Sequence, residues 1–245
     1  RHPASAWHLA REAGPGITSY HAYDRSIRDE AIGWLEREAE RPSDRGWCLF
    51  VSFVCPHFPL VAPQEFYDLY DPADLPMPGL RDVDPSSVHP VVRGLREAQD
   101  YDAYFESADD VRRALTAYYG LVSFLDDSIG RILETLAGSG LDRETLVVYS
   151  SDHGDNLGTR GLWGKLTLYE ESAGIPLILT GPGVPAGRRV RTPVSLVDAA
   201  PTILETVAGL SDPDLPGRSL TASAELPDED RTVLCEYHGP GSMTG

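Results

Sequence analysis

The stretch SDHGDNLGTRGLWGKLT, residues 151–167, collects side chains that could do chemistry. It holds the chain's single lysine, Lys165, although the chain has 20 arginines. The adjacent Asp152 and His153 could present a carboxylate oxygen and an imidazole nitrogen to one cation. The compact ammonium of Lys165 could reach an anion from a flexible stem. Spacing alone also allows Asp152 to cap a turn, His153 to be a hydrogen-bonded polar residue and the lone lysine to be chance.

A second candidate is His57, which lies between two prolines in the segment CPHFP at 55–59. A histidine held by prolines could be a rigidly placed donor, or simply a turn residue. Its interest comes from its position, because it directly follows the apolar run 47–54. Asp152 and His153 follow a similar run at 145–151.

The elements that must position these residues alternate between strand and helix patterns. Continuous apolar runs predict buried strands at 47–54, 145–151 and 175–181. Apolar spacing of 3.6 residues predicts helices at 24–41, 108–140 and 198–210. This order predicts an α/β fold with a mostly parallel central sheet and helices on both faces. In such sheets ligands bind beyond the carboxyl ends of the strands, where both polar clusters lie.

The sequence also predicts an N-cap for the first helix and a buried face for the longest one. Asp24 is the predicted N-cap of the first helix. The buried face of the helix at 108–140 is predicted from its apolar spacing to comprise Val111, Leu115, Val122, Leu125, Ile129 and Leu133.

Composition excludes several classes of partner. A net charge of −17 over 245 residues, with no long run of basic residues, argues against a nucleic-acid partner. No apolar run approaches the roughly 18 residues that a membrane span needs, so no membrane partner is predicted. A small anionic substrate stays compatible with this charge. The three cysteines lack CxxC spacing, and Cys48 and Cys55 are predicted to be buried apolar side chains.

The ordered series of motifs resembles the sulfatase family of the alkaline phosphatase superfamily. The segment TLVVYSSDHGDNLGTRGLWGKLTLYEESAGIPLILTGPG, 145–183, is similar to the family's second signature. FVSFVCPHFPLVAPQEFYDLYDP resembles its P-H-x-P and Y-D-P segments, and SLVDAAPTILETVAG with LPGRSL resembles the close of its main domain. The resemblance implies an alkaline phosphatase-like fold. It assigns residues 1–220 to part of the catalytic domain and 221–245 to a connector and the start of a smaller C-terminal subdomain.

The resemblance also implies an activity and a division of roles. The protein would be a metal-dependent sulfuric ester hydrolase acting on a small sulfate ester. Asp152 and His153 would bind a divalent cation, with Ca²⁺ as the family default and Mn²⁺ or Mg²⁺ as alternatives. Lys165 would bind the sulfate oxygens, and His57 would do the same or protonate the leaving group.

The family's nucleophile motif is the main departure. In the family a Cys or Ser within C/S-x-P/A-x-R is oxidised to formylglycine, and Cys48, Cys55 and Cys235 all lack that context. The resemblance therefore implies that the formylglycine lies upstream of this chain. The chain would then be a fragment that carries about half of an active site, inactive by itself and a weak metal binder.

Two other functions stay open at this point. One is a phosphonate monoester or phosphodiester hydrolase of the same superfamily, and the other is a non-catalytic sulfatase-like binding module. The sequence leaves the compartment open between cytoplasm and periplasm. The oligomeric state is open as well, a homo-oligomer included.

Overall fold

Helices and short strands alternate along the chain in the computed structural model, which describes residues 9–81, 84–98, 100–221 and 228–236. The helices are α1 (Ser19–Glu40), α2 (Gln64–Tyr67), α3 (Pro90–Ala98), α4 (Ala108–Ser139), α5 (Glu170–Ala173) and α6 (Ala199–Ala208). The strands are β1 (Gly14–Pro15), β2 (Val61–Ala62), β3 (Val147–Ser150) and β4 (Leu177–Thr180). Short 3₁₀ turns cover Pro85–Ser87, Asp102–Tyr104, Leu141–Arg143, Thr159–Gly161 and Leu196–Asp198.

The strands form two separate pairs. β1 and β2 run parallel, and β3 and β4 run antiparallel with Val147 opposite Thr180 and Ser150 opposite Leu177. The fold is α/β with a partial sheet, which agrees with the predicted incomplete α/β fold. Two of the three predicted strands correspond to β3 and β4. Their predicted burial is wrong at Val148 and Ile178, which are 38% and 57% exposed, and their pairing is antiparallel where a mostly parallel sheet was predicted.

The apolar run 47–54 is the exception, because it pairs with no strand within the described ranges. Phe50 is 86% exposed and Cys48 is exposed as well, so the prediction that they are buried is wrong. Cys55 is buried, as predicted. A strand needs the backbone N–H and C=O groups of a neighbour, and apolar composition alone does not supply them.

Contacts divide the chain into two compact units. Among the described residues, unit 1 falls within 9–32, 51–133 and 153–174, and unit 2 falls within 33–50, 134–152 and 175–236. Unit 1 carries the main hydrophobic core, built from α4 and the segments before β1 and around β2. The buried residues of α4 in that core are Val111, Ala114, Leu115, Ala117, Leu121 and Phe124.

α4 begins and ends with recognisable capping features. The Ser107 hydroxyl accepts a hydrogen bond from the Asp110 N–H, while the Asp110 carboxylate accepts one from the Ser107 N–H. Gly140 follows the helix with a φ of +78°, the left-handed geometry that commonly ends helices. The predicted face is correct at Val111 and Leu115. It is wrong at Val122, which is 41% exposed beside the buried Leu121, and at Leu133, which is 39% exposed.

α1 begins at Ser19, five residues before the predicted start, so Asp24 lies inside the helix and is not its N-cap. Asp24 is fully buried and accepts hydrogen bonds from the backbone N–H groups of Val54 (2.8 Å) and Cys55 (2.9 Å). This carboxylate therefore fixes the end of the 47–54 run. Burial beside Asp24 raises the pKa of the Cys55 thiol, which keeps it protonated at neutral pH.

Unit 2 is organised around a buried carboxylate at the start of α6. Asp198 is fully buried and accepts hydrogen bonds from both terminal nitrogens of Arg231 and from the backbone of Ser195 and Arg218. The predicted connector and subdomain start at 221–245 lie largely outside the described residues, which include only 221 and 228–236 of that range. Among the residues described, no helix is both long and apolar enough to cross a membrane.

Candidate active site

His57 is held by the backbone that Asp24 anchors. Its N–H donates to the carbonyl of Val54 (3.0 Å), so the histidine lies directly after the anchored segment. Its ring Nδ1 lies 2.8 Å from the carbonyl oxygen of Phe58. A carbonyl only accepts, so Nδ1 carries a proton, and in the neutral form of the ring the lone pair lies on Nε2.

Lys165 belongs to a loop, residues 154–172, whose ends meet. The Gly154 N–H donates to the Ser172 carbonyl at 2.8 Å, which closes the loop at its base. The Lys165 carbonyl accepts hydrogen bonds from the Ser172 hydroxyl and from the Thr167 N–H (2.8 Å). The backbone from which the lysine side chain extends is therefore fixed within unit 1.

The structure brings Lys165 and His57 into direct contact. The Lys165 ammonium lies 2.9 Å from His57 Nε2 and donates to it, since the Nδ1–H tautomer leaves Nε2 as the acceptor. The two residues are 108 positions apart in the sequence. This arrangement places a fixed positive charge beside a neutral imidazole, which suits binding of an anion and transfer of a proton.

His153 lies close to this pair. Its ring centroid is 6.0 Å from that of His57, and its Nδ1 lies 2.8 Å from the Gly154 carbonyl. The same tautomer argument gives Nε2 the lone pair that a metal ion would use. Asp152 is exposed and belongs to unit 2, so the boundary between the units falls between these adjacent residues.

The side chains of Asp152 and His153 are of types that bind divalent cations, but two ligands are too few to hold one. Carboxylate oxygen and imidazole nitrogen suit Ca²⁺, Mn²⁺ or Mg²⁺ to different degrees. Across the described part of the chain, no group of three or more His, Cys, Asp or Glu side chains is arranged to hold a metal ion. The role of Asp152 and His153 as ligands therefore stays a prediction.

Asp155 is a residue of this loop that sequence reasoning gave no role. Its Oδ1 accepts hydrogen bonds from the backbone N–H groups of Leu157 and Gly164, both at 2.9 Å. Burial raises the pKa of Asp155, and the two backbone hydrogen bonds oppose that rise. The signal that could have found it is its place in the motif, two residues after the predicted metal ligand His153 and directly before Asn156.

Trp163 anchors the loop against the segment around 102–105. Its indole stacks on Phe105 with ring centroids 4.0 Å apart, and its Nε1–H donates to Asp102 at 2.9 Å. Asp102 also accepts a hydrogen bond from Arg81 (2.7 Å). Trp163 therefore stabilises the loop by packing.

A second anchor joins the tip of the loop to its base. The Arg160 guanidinium lies 4.0 Å over the ring of Tyr169 and donates to both carboxylate oxygens of Glu171 at 2.9 Å. Arg160 has a φ of +59°, a backbone conformation that non-glycine residues seldom adopt. Sequence reasoning missed this anchor, because neither composition nor spacing identifies a stacked arginine.

The chain matches the Sulfatase family over residues 3–210. It therefore belongs to the sulfatase family.

Relatives of this family cover almost the whole chain. The chain is 34% identical over 233 residues to a choline-sulfatase of Rhizobium meliloti, which covers 92% of this chain and 45% of that protein. It is 28% identical over 236 residues to arylsulfatase K of Bos taurus, which covers 86% of this chain and 42% of that protein. The chain thus spans less than half the length of these curated relatives.

A solved structure confirms the fold. The phosphonate monoester hydrolase of Silicibacter pomeroyi superposes with a TM-score of 0.67 at 31% identity, covering 79% of this chain and 41% of that chain. The predicted family and the predicted alkaline phosphatase-like fold are both confirmed.

Proposed function

We propose that this chain is part of a sulfuric ester hydrolase in which Lys165 and His57 bind the sulfate group. The observation that carries the proposal is the 2.9 Å contact between the Lys165 ammonium and His57 Nε2. Family membership over residues 3–210 supports the reaction class. The choline-sulfatase relative favours small alkyl sulfates as the first substrates to test.

The two side chains would act on different atoms of the ester. The ammonium of Lys165 would neutralise the sulfate oxygens, on which negative charge concentrates as the ester bond breaks. His57 would exchange its contact with Lys165 for one with the substrate and, once protonated, would donate from Nε2 to the leaving oxygen. The hydrogen bond from Nδ1 to the Phe58 carbonyl would keep the ring oriented throughout.

The groups that complete the site are part of the proposal. Asp152 and His153 would hold a divalent cation, Ca²⁺ as the default and Mn²⁺ or Mg²⁺ as alternatives. When bound, the cation supplies positive charge that orients and neutralises the ester. A formylglycine outside this chain would supply the nucleophile, so the chain by itself is expected to be inactive.

Phosphonate monoester hydrolysis is the second candidate. The structural match to the Silicibacter pomeroyi enzyme, at 31% identity, favours it specifically. The same lysine and histidine would bind a phosphonate oxygen as readily as a sulfate oxygen. Comparing kcat/KM for choline sulfate, 4-nitrophenyl sulfate and a phenyl phosphonate ester on the complete gene product distinguishes the two candidates.

The assignment of Lys165 is tested by Lys165→Ala in the complete gene product. We expect kcat/KM for the best sulfate ester to fall about 10²- to 10³-fold, the usual cost of losing one group that stabilises developing charge. Metal content, measured by mass spectrometry of the ion, should stay unchanged. Asp152→Ala should lower both activity and metal content.

Arg45→Ala serves as the charge-matched control. Arg45 is exposed and lies in unit 2, outside the loop and the His57 segment. It should leave kcat/KM within about twofold, since exposed charges contribute little. Near-wild-type kinetics for Lys165→Ala would contradict the substrate-binding role.

A further inference from the structure

Gly164, the residue directly before Lys165, is held on both sides by two neighbouring residues of the loop. The Gly164 N–H donates to Asp155 Oδ1 at 2.9 Å. The Gly164 carbonyl accepts from the backbone N–H of Asn156 at 2.8 Å and also from the Asn156 side-chain amide. Both hydrogen-bonding groups of Gly164 are therefore fixed by the pair Asp155 and Asn156.

The Asn156 side chain is buried, and both ends of its amide are hydrogen-bonded. It is the chain's single asparagine, and its side chain is 1% exposed. Its Nδ2 donates to the Gly164 carbonyl, while its Oδ1 accepts from the Thr167 hydroxyl at 3.3 Å. Thr167 thereby orients the amide so that its NH₂ group faces Gly164, an arrangement that an apolar side chain of similar size could not provide.

The carbonyl on the other side of the lysine is fixed too. Ser172 and Thr167 donate to the Lys165 carbonyl, so the backbone is held before and after the Lys165 Cα. A lysine side chain is a flexible four-carbon stem, so the position of its ammonium varies unless the backbone from which it extends is fixed. The ammonium ends 2.9 Å from His57, the position at which the proposed function needs it.

We infer that Asn156 is a positioning residue that acts through Lys165: its amide holds the Gly164 peptide and thereby sets where the ammonium meets the substrate anion. The inference rests on the proposed function of Lys165. The inference adds that a buried side chain, which itself does not contact substrate, fixes the position of the Lys165 ammonium. Displacements of about 1 Å in such supports cost on the order of 100-fold in rate.

A double-mutant cycle tests the inference in the complete gene product, with choline sulfate and 4-nitrophenyl sulfate as substrates. Asn156→Ala should lower kcat/KM about 10- to 100-fold, chiefly through kcat, with metal content unchanged. In a Lys165→Ala background the same substitution should lower kcat/KM by less than about threefold. A residue that acts only through Lys165 has nothing left to position once the ammonium is gone.

Equal losses in both backgrounds would overturn the inference, because they would show that Asn156 supports the fold or the metal instead. If Lys165→Ala alone left kcat/KM unchanged, the proposed role of Lys165 would fail and the inference with it. If Asn156→Ala does not fold, Thr167→Val takes its place in the cycle. It keeps nearly the same volume, removes the hydroxyl that orients the amide, and should show the same dependence on Lys165 with a smaller loss.

Discussion

The buried carboxylate of Asp198 allows a quantitative prediction about stability. It accepts four hydrogen bonds of 2.7–2.9 Å, two from Arg231 and two from the backbone N–H groups of Ser195 and Arg218. The Arg231 side chain is only 8% exposed. Asp198→Ala would therefore leave two backbone donors without their acceptor and a nearly buried guanidinium with the Pro193 carbonyl, at 3.2 Å, in place of a carboxylate.

The magnitude follows from those orphaned groups. Each unsatisfied buried donor costs about 1–3 kcal/mol, and relaxation of the site keeps the costs from adding fully. Breaking a buried ion pair by removing one partner typically costs about 3–5 kcal/mol, and we expect the free energy of unfolding to fall by that amount. Urea denaturation followed by circular dichroism and tryptophan fluorescence would measure it.

An exposed ion pair in the same unit provides the control. Asp228 lies 3.3 Å from Arg218, and both side chains are about half exposed or more. Asp228→Ala should cost less than about 1 kcal/mol, because solvent screens such pairs. A cost below about 1 kcal/mol for Asp198→Ala, or equal costs for the two variants, would refute the reasoning.

The remaining predictions concern pH and the closure of the 154–172 loop. Burial alone would raise the pKa of Asp198, but the hydrogen bonds from Arg231 and the backbone outweigh it and lower the pKa below the ordinary 3.8. The stability advantage of wild type over Asp198→Asn should therefore be complete above pH 3.8 and vanish as pH falls through the lower folded-state pKa, as urea titrations across pH would show; an advantage that grew on acidification would contradict this. Gly154→Ala should lower the melting temperature and, in the complete gene product, the proposed sulfatase activity, because a Cβ there would overlap the Glu171 carbonyl oxygen; a variant with unchanged melting temperature and unchanged activity would contradict that geometry.

The sequence predicted helices better than strands, for a physical reason. A helix satisfies its backbone from within, so local spacing and capping at Ser107 and Gly140 suffice to predict α4. The buried face of α4 was harder to predict. The buried positions shift by one residue near Leu121, and the local sequence does not show which segment packs there. The 47–54 run shows why strands are harder to predict: a strand needs hydrogen bonds to a neighbouring strand, and the sequence of the run does not show whether one is present.

The candidate chemical groups could be named from the sequence, whereas the contacts that support them could not. His57 and Lys165 were recognisable from residue type, motif and position, and the structure places them 2.9 Å apart. Asp24 illustrates what sequence alone could not show. Its place in a helical pattern suggested a cap, whereas its carboxylate instead receives two backbone N–H groups 30 and 31 residues away.

The hydrogen bond between Gly154 and Ser172 has a consequence for loop-closure entropy. It fixes the two ends of the 154–172 loop whatever lies between them, so the loop behaves as a closed ring with respect to chain length. Doubling the length of such a ring costs only about 0.6 kcal/mol. That figure applies to flexible chain, so an insertion in the parts of the ring held by Asn156, Trp163 and Arg160 would cost more, because it would also break those contacts.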